Sequence, residues 1–266
     1  MKILKTSLYL LATFYFLSIA VAYIFQKQLI FQGKLLPQDY KFSFSLPHEE
    51  INLTAKDGTK INAIYIKTSE TPKGVVLYFH GNADNLQRWA NYHTDFTQRG
   101  YDFFAIDYRS YGKTKGSPEF ENLYSDARVA YDFVKRKYPT EQIILYGRSL
   151  GTGIATHLAT TATAQRLILE TPYNTIRSVM STSFIPLYMP FSLKYPLENV
   201  HSLPQVPIPV TVFHGTKDEL IAYELAEKLR PVLKENDTFI TIPGGGHKNL
   251  TDFSEFQEGL DTFLGE

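Results

Sequence analysis

Short apolar runs alternate with longer stretches of helical character along most of this 266-residue chain, and this alternation restricts the fold more than any other feature. Residues 75–79, 103–106 and 143–146 are almost entirely apolar or aromatic. Runs of this kind are typical of strands buried on both faces of a sheet. Because such strands alternate with helices, we predict an α/β fold with a mostly parallel, doubly wound sheet.

The remaining elements follow the same pattern. Three further strands are predicted at residues 167–169, 210–213 and 239–242, and helices at 86–98, 123–138, 222–233 and 252–263. Ahead of the first buried strand, residues 51–54 and 60–66 alternate with a period of two. Asp57-Gly58 between them predicts a hairpin turn.

Residues 173–207 interrupt the alternation. Prolines stand here at positions 186, 190, 196, 204 and 207, and apolar side chains are concentrated at Met180, Phe184, Leu187, Tyr188, Met189 and Phe191. A long apolar insertion between two strands either covers a pocket or packs on the domain with a purely structural role. The sequence leaves both interpretations open.

The N-terminal segment carries no charged side chain from residue 6 to residue 26. About 20 apolar residues cross a bilayer as a helix. We predict residues 1–30 as a single-pass membrane anchor, 31–50 as a linker and 51–266 as the catalytic domain. Ala20-Val21-Ala22 fits a signal-peptidase site, so a cleaved signal peptide is the alternative. Lysines flank both ends of the apolar run, and we favour the non-cytoplasmic side for the domain.

Composition excludes several functions. The chain has 27 basic and 27 acidic residues, so no basic excess points to nucleic acid. It has no cysteine, which removes thiol nucleophiles and thiolate metal sites. The histidines at 48, 93, 157 and 201 lack convergent partners, and no phosphate-binding glycine motif is present. We therefore expect neither a metal nor an organic cofactor.

The clearest chemical motif follows the strand at 143–146. Residues 147–151 read Gly-Arg-Ser-Leu-Gly, a G-x-S-x-G pattern between a strand and a helix. Glycine at both ends removes the Cβ atoms that would crowd a sharp turn, so the Ser149 hydroxyl can project from the sheet. The backbone N–H of Leu150 then faces the position where an oxyanion would form. A glycine-rich turn that merely packs helix on strand is the alternative.

A serine hydroxyl needs a base, and the base needs an acid to orient it. Asp218 follows the strand at 210–213, and His247 follows the strand at 239–242 after three glycines. The carboxyl ends of parallel strands share one sheet edge, so Ser149, Asp218 and His247 should meet there. Glu170 is a weaker candidate acid, for which we favour an ion pair with Arg148.

The second oxyanion donor should come from the loop after residue 79. Residues 80–82 read His-Gly-Asn, and we expect the backbone N–H of Asn82 to lie opposite that of Leu150. His80 itself is interpreted as structural.

Four motifs together resemble the alpha/beta-hydrolase superfamily, over about residues 50–264. They are residues 80–85 (His-Gly-Asn-Ala-Asp-Asn), 107–112 (Asp-Tyr-Arg-Ser-Tyr-Gly), 147–151, and 214–218 (His-Gly-Thr-Lys-Asp) with Gly246-His247. The chain is most similar to the membrane-anchored branch that includes eukaryotic thioesterases and bacterial relatives. Two departures stand out: Ser110 replaces the glycine usual in relatives, and the cysteine-rich N-terminus of the depalmitoylating members is absent.

The resemblance implies the alpha/beta-hydrolase fold and a serine hydrolase. We predict cleavage of a carboxylic ester or thioester, with a small or lipid-like substrate, through an acyl-enzyme on Ser149. An amidase or peptidase with the same triad is one alternative. A non-catalytic, membrane-tethered binding protein on a hydrolase scaffold is the other.

Overall fold

A computed structural model describes residues 2–184 and 193–265. The predicted insertion therefore lies only partly within it, since Pro186, Leu187, Tyr188, Met189, Pro190 and Phe191 fall outside the described residues. The described strands form a single sheet. In chain order they are β1 (His48–Thr54), β2 (Lys60–Ile66), β3 (Gly74–Phe79), β4 (Tyr101–Ile106), β5 (Ile143–Arg148), β6 (Arg166–Glu170), β7 (Val210–Gly215) and β8 (Thr238–Ile242).

The sheet order is β1-β2-β4-β3-β5-β6-β7-β8. β1 pairs antiparallel with β2, and β2 antiparallel with β4. From β4 to β8 every neighbouring pair is parallel. The predicted mostly parallel sheet is confirmed. The hairpin is confirmed as well, with Gly58 at φ +85° in the turn between β1 and β2.

Helices cover both faces of the sheet. In chain order the described helices, of which α1 does not pack on the sheet, are α1 (Lys2–Ile24), α2 (Gln26–Ile30), α3 (Leu86–Trp89), α4 (Thr94–Thr97), α5 (Phe120–Lys135), α6 (Leu150–Ala159), α7 (Ile176–Val179), α8 (Asn199–Ser202), α9 (Tyr223–Glu227) and α10 (Ser254–Gly265). Adjacent residues of β3 pack into different hydrophobic cores, one on each face of the sheet. Leu77 packs in the core that includes α5 and α6, and Tyr78 packs in the core that includes α3, α4 and α10. This division is the period-two geometry of a strand buried on both sides.

Two predicted helices are shorter or broken. The helix predicted at 86–98 is interrupted by a 3₁₀ turn at Ala90–His93, where the Asn91 side chain donates to the Gln87 carbonyl at 2.7 Å. Such local side-chain bonds compete with the regular helix ladder. The helix predicted at 222–233 ends at Glu227, because Pro231 cannot donate an amide and its ring would clash with the carbonyl four residues earlier.

The N-terminal helix α1 projects away from the domain. Its apolar side chains are exposed, with Leu8 at 67% and Phe14 at 70%, whereas Ala22 and Gln26 are buried. Within α1, the stretch Lys5–Ile24 is long and apolar enough to cross a membrane. Residues 31–47 then run along the domain surface and bury Phe31 and Phe42.

Candidate active site

Ser149 lies on the sharp turn between β5 and α6. Its φ is +51°, in the left-handed region that non-glycine residues rarely occupy. A Cβ on Gly147 would come within 2.7 Å of the Gly151 carbonyl oxygen, and a Cβ on Gly151 within 2.0 Å of the Phe79 carbonyl oxygen. Both glycines are therefore required by close packing, and the turn presents the Ser149 hydroxyl at the carboxyl edge of the sheet.

Three side chains from different strand ends form a hydrogen-bonded series. His247 Nε2 lies 3.1 Å from Ser149 Oγ, and His247 Nδ1 lies 2.8 Å from Asp218 Oδ2. These distances suit proton transfer from the hydroxyl to the imidazole, with the carboxylate fixing the ring. All three residues are buried yet retain slight exposure, between 6% and 8%.

Asp218 is held by the loop after β7. Its Oδ1 accepts the backbone N–H groups of Leu220 at 2.9 Å and Ile221 at 2.7 Å, which leaves Oδ2 for His247. Burial favours the neutral carboxyl, but the hydrogen bonds from His247 and Ile221 outweigh it and lower the pKa of Asp218. The carboxylate therefore stays charged at neutral pH, as an orienting group for an imidazolium must.

Another histidine and another carboxylate lie close to this series. His214 Nε2 is 3.7 Å from Asp218 Oδ2, and burial lowers the pKa of His214. Glu219 Oε2 accepts the backbone N–H of His247 at 3.3 Å. Neither residue is given a role by the sequence: His214 lies at the end of β7, and Glu219 lies in the loop that follows.

The loop after β3 lies against Ser149. A Cβ on Gly81 would be 3.4 Å from the Ser149 Cβ. The Asn82 side-chain oxygen accepts the Tyr111 hydroxyl at 2.7 Å and the Ala83 backbone N–H at 2.8 Å, which fixes the conformation of the loop. Leu150 is the first residue of α6, so its backbone N–H has no partner within the helix.

Glu170 is paired with Arg148 and not with His247. Glu170 Oε1 lies 3.1 Å from Arg148 Nε in a fully buried ion pair, and Tyr146 donates its hydroxyl to Glu170 Oε2 at 2.7 Å. The Arg148 guanidinium also stacks 4.1 Å above the Tyr92 ring. The favoured interpretation of Glu170 as an ion-pair partner is confirmed, and Asp218 is the carboxylate in contact with His247.

His80 lies in the interior behind the candidate oxyanion loop. It is fully buried, its ring packs 4.2 Å from the Tyr108 ring, and its Nε2 lies 3.5 Å from Asp107 Oδ1. Asp107 Oδ1 also accepts the Leu86 backbone N–H at 3.0 Å. These contacts agree with a structural His80.

A partly open cleft borders Ser149. Its walls are mostly apolar and come from distant parts of the chain: Leu29, Ile30, Asn82, Ser149, Leu150, Tyr173, Ile176, Val179, Met180, Leu220 and Ile221. Apolar clefts with a few convergent polar groups are typical of small-molecule sites. Across residues 2–184 and 193–265, no group of three or more His, Asp or Glu residues could hold a metal ion.

Known proteins are similar to this chain in sequence and in fold. The family model described as serine aminopeptidase, S33, matches residues 70–198. The Salmonella typhi protein YfhR is 30% identical over 222 residues, which are 75% of this chain and 74% of YfhR. Human alpha/beta hydrolase domain-containing protein 17B is 26% identical over 212 residues, covering 79% of this chain and 72% of the human protein.

The sheet topology and these relatives define the class of protein: the chain belongs to the alpha/beta-hydrolase superfamily and is a hydrolase by family. Solved structures agree with the fold. The Pyrococcus furiosus esterase Pf2001 superposes with a TM-score of 0.69 over 88% of this chain and 98% of its own, at 14% identity. The Exiguobacterium antarcticum esterase EaEST does so with a TM-score of 0.63, at 18% identity, over 82% of this chain and 100% of its own.

Proposed function

We propose that this protein is a serine hydrolase that cleaves a carboxylic ester or thioester through an acyl-enzyme. The observation that carries the proposal is the continuous series of hydrogen-bonding atoms from Ser149 Oγ through His247 to Asp218, at 3.1 and 2.8 Å. A hydroxyl, a base and an orienting acid in that order are what nucleophilic acyl transfer requires.

In the proposed mechanism, Ser149 Oγ attacks the substrate carbonyl carbon while His247 Nε2 takes the hydroxyl proton. Asp218 stabilises the resulting imidazolium through Nδ1. The backbone N–H groups of Asn82 and Leu150 donate to the oxyanion, and each such donor is typically worth about 3 kcal/mol in the transition state. The tetrahedral intermediate then expels the alcohol or thiol, which takes the proton from His247. Water attacks the acyl-enzyme by the same route and releases the acid.

Ester or thioester cleavage is preferred over aminopeptidase activity, the activity that the matching family model is named for. An aminopeptidase must bind a free amino group, and a carboxylate near the scissile bond is the simplest way to do so. Of the described residues that border the cleft, none is acidic. The names of several structural neighbours as esterases support the same choice.

We further propose the domain organisation given by the sequence. Residues 1–30 are the anchor segment, in which Lys5–Ile24 crosses the membrane as a single span and α2 packs on the domain. Residues 31–50 are the linker, and 51–266 form the catalytic domain with the insertion at 173–207. The apolar surface of α1 supports the anchor, because exposed side chains such as Leu8 and Phe14 are unfavourable in water and favourable in lipid. The non-cytoplasmic side is proposed for the catalytic domain.

The proposed function is tested with a fluorophosphonate probe, which reacts with an activated serine. We expect the full-length protein in detergent to be labelled and the Ser149→Ala variant to remain unlabelled. Hydrolysis of p-nitrophenyl esters should depend on Ser149 in the same way. Equal labelling of both proteins, or no labelling of either, would reject the proposal and favour a binding protein on a hydrolase scaffold.

A further inference from the structure

The segment that follows the apolar helix, residues 26–36, packs on the domain and is here termed the membrane-proximal segment. Gln26 is only 1% exposed, and its side-chain oxygen accepts the backbone N–H of Lys194 at 2.8 Å. Phe31 packs edge-on against Tyr195, with 5.0 Å between ring centroids. These contacts fix both ends of α2 to the domain, so its side chains have defined positions.

The same segment contacts the candidate oxyanion loop. The backbone N–H of Gln32 donates to the side-chain oxygen of Asn82 at 2.9 Å, and the backbone N–H of Lys34 donates to the Asp84 carbonyl at 2.9 Å. The Lys34 ammonium lies 2.9 Å from an Asp84 carboxylate oxygen. The membrane-proximal segment is therefore joined to the loop that borders Ser149.

Between these two attachments, Leu29 and Ile30 form part of the wall of the cleft beside Ser149. Residues of the insertion, including Val179 and Met180, border the same cleft. Leu29 is half-buried, and it stands five residues beyond Ile24, the last residue of the apolar helix. At about 1.5 Å per helical residue, this wall lies roughly 8 Å along the chain from the end of that helix.

We propose that the membrane-proximal segment is the acyl-chain wall of the active site, with Leu29 and Ile30 as the residues that select for long-chain acyl groups. This inference rests on the proposed function. The substrate class is then an ester or thioester of a long-chain fatty acid, whose acyl chain lies against α2 at the membrane end of the domain. A protein binds an acyl chain by burying its methylene groups, and apolar side chains provide the surface against which they are buried.

The test uses full-length protein in detergent and p-nitrophenyl esters from acetate to palmitate. In Leu29→Trp the larger ring narrows the cleft, and the ratio of kcat/KM for palmitate to kcat/KM for acetate should fall about tenfold or more. Leu35→Trp is the matched control, because Leu35 belongs to the same segment but is 64% exposed and does not border the cleft. Its ratio should equal that of the wild type.

Leu29→Asn gives an independent measurement at nearly the original volume. It places an amide against the acyl chain, so the palmitate-to-acetate ratio should again fall while fluorophosphonate labelling persists. An unchanged ratio in labelled Leu29→Trp or Leu29→Asn protein overturns the acyl-wall proposal and leaves the serine hydrolase intact. Failure of the wild type to react with the probe or with any ester would instead reject the proposed function itself.

Discussion

Two of the histidine–aspartate pairs at the carboxyl edge of this sheet, His247 with Asp218 and His80 with Asp107, differ in which ring nitrogen faces the carboxylate. His247 presents Nδ1 to Asp218 and Nε2 to Ser149 Oγ. His80 presents Nε2 to Asp107, while its Nδ1 lies 2.7 Å from the Gly81 carbonyl oxygen. Both nitrogens of His80 therefore face fixed acceptors. A histidine and an aspartate therefore form a candidate proton-transfer pair at His247 and Asp218, and a buried structural pair at His80 and Asp107.

The electrostatics of the two carboxyl groups differ as well. Burial raises the pKa of Asp107, and the nearby His80 compensates for it only in part. For Asp218 burial acts in the same direction, but the hydrogen bonds from His247 and the Ile221 backbone reverse the net effect and lower the pKa. A carboxyl group that supports an imidazolium should be the one that remains charged.

The largest expected effect separates the two histidines by activity. In His247→Ala we expect kcat for p-nitrophenyl acetate to fall by about 10⁶-fold, because the base is lost. Near-normal turnover in His247→Ala would contradict the assigned base.

The next effect concerns the orienting acid. Asp218→Asn should lower kcat by about 10,000-fold, because an amide group no longer stabilises the imidazolium or fixes the productive tautomer. Glu170→Gln is the matched control among the buried carboxylates, and kcat should fall far less, because Glu170 pairs with Arg148. The opposite order of the two losses would make Glu170 the acid.

The sequence was sufficient to predict the candidate site residues that stand at the ends of strands. Ser149, Asp218 and His247 each follow an apolar strand, and parallel topology brings such positions together. The catalytic roles of these residues stay predictions. Leu29 and Ile30 could not be found in this way, because a short helix after a membrane span carries no periodic signal. Their contact with the cleft depends on packing against residues more than 100 positions away.

In the fold, too, features set by local sequence were predictable, whereas contacts between residues far apart in the chain were not. Parallel strands were predictable because continuous apolar runs need burial on both faces. The helix predicted at 222–233 extends too far, because the prediction ran past Pro231, beyond the end of α9 at Glu227. The bonds from Gln32 and Tyr111 to the Asn82 side chain join residues far apart in the chain, and no local pattern encodes them.

The third prediction concerns His80, whose loss should reduce the stability of the fold. His80→Ala should lower the free energy of unfolding by about 3 kcal/mol, because it opens a cavity beside Tyr108 and leaves Asp107 without its neighbour. Urea unfolding measures the effect, with His201→Ala as the control, since the His201 side chain is 71% exposed. Equal losses of unfolding free energy in His80→Ala and His201→Ala would show that the His80 side chain does not stabilise the fold.

The smallest effect is the pH dependence of the two carboxyl groups. Asp218 has a folded pKa below its ordinary 3.8, so its stabilisation is fully present above about pH 4 and is lost only as the pH falls through the folded value. Asp107 has a raised pKa, so the folded protein keeps a proton that the unfolded chain releases, and stability declines as the pH rises through that interval.

Between pH 4 and pH 7, the difference in unfolding free energy between wild type and Asp218→Asn should therefore stay constant. The difference between wild type and Asp107→Asn should decrease as the pH rises, because each unit of pKa shift is worth about 1.4 kcal/mol. Urea unfolding at four pH values measures both differences. Parallel pH profiles for the two variants would mean that the two carboxyl groups have the same electrostatic environment. The contrast between the pairs would then rest on ring orientation alone.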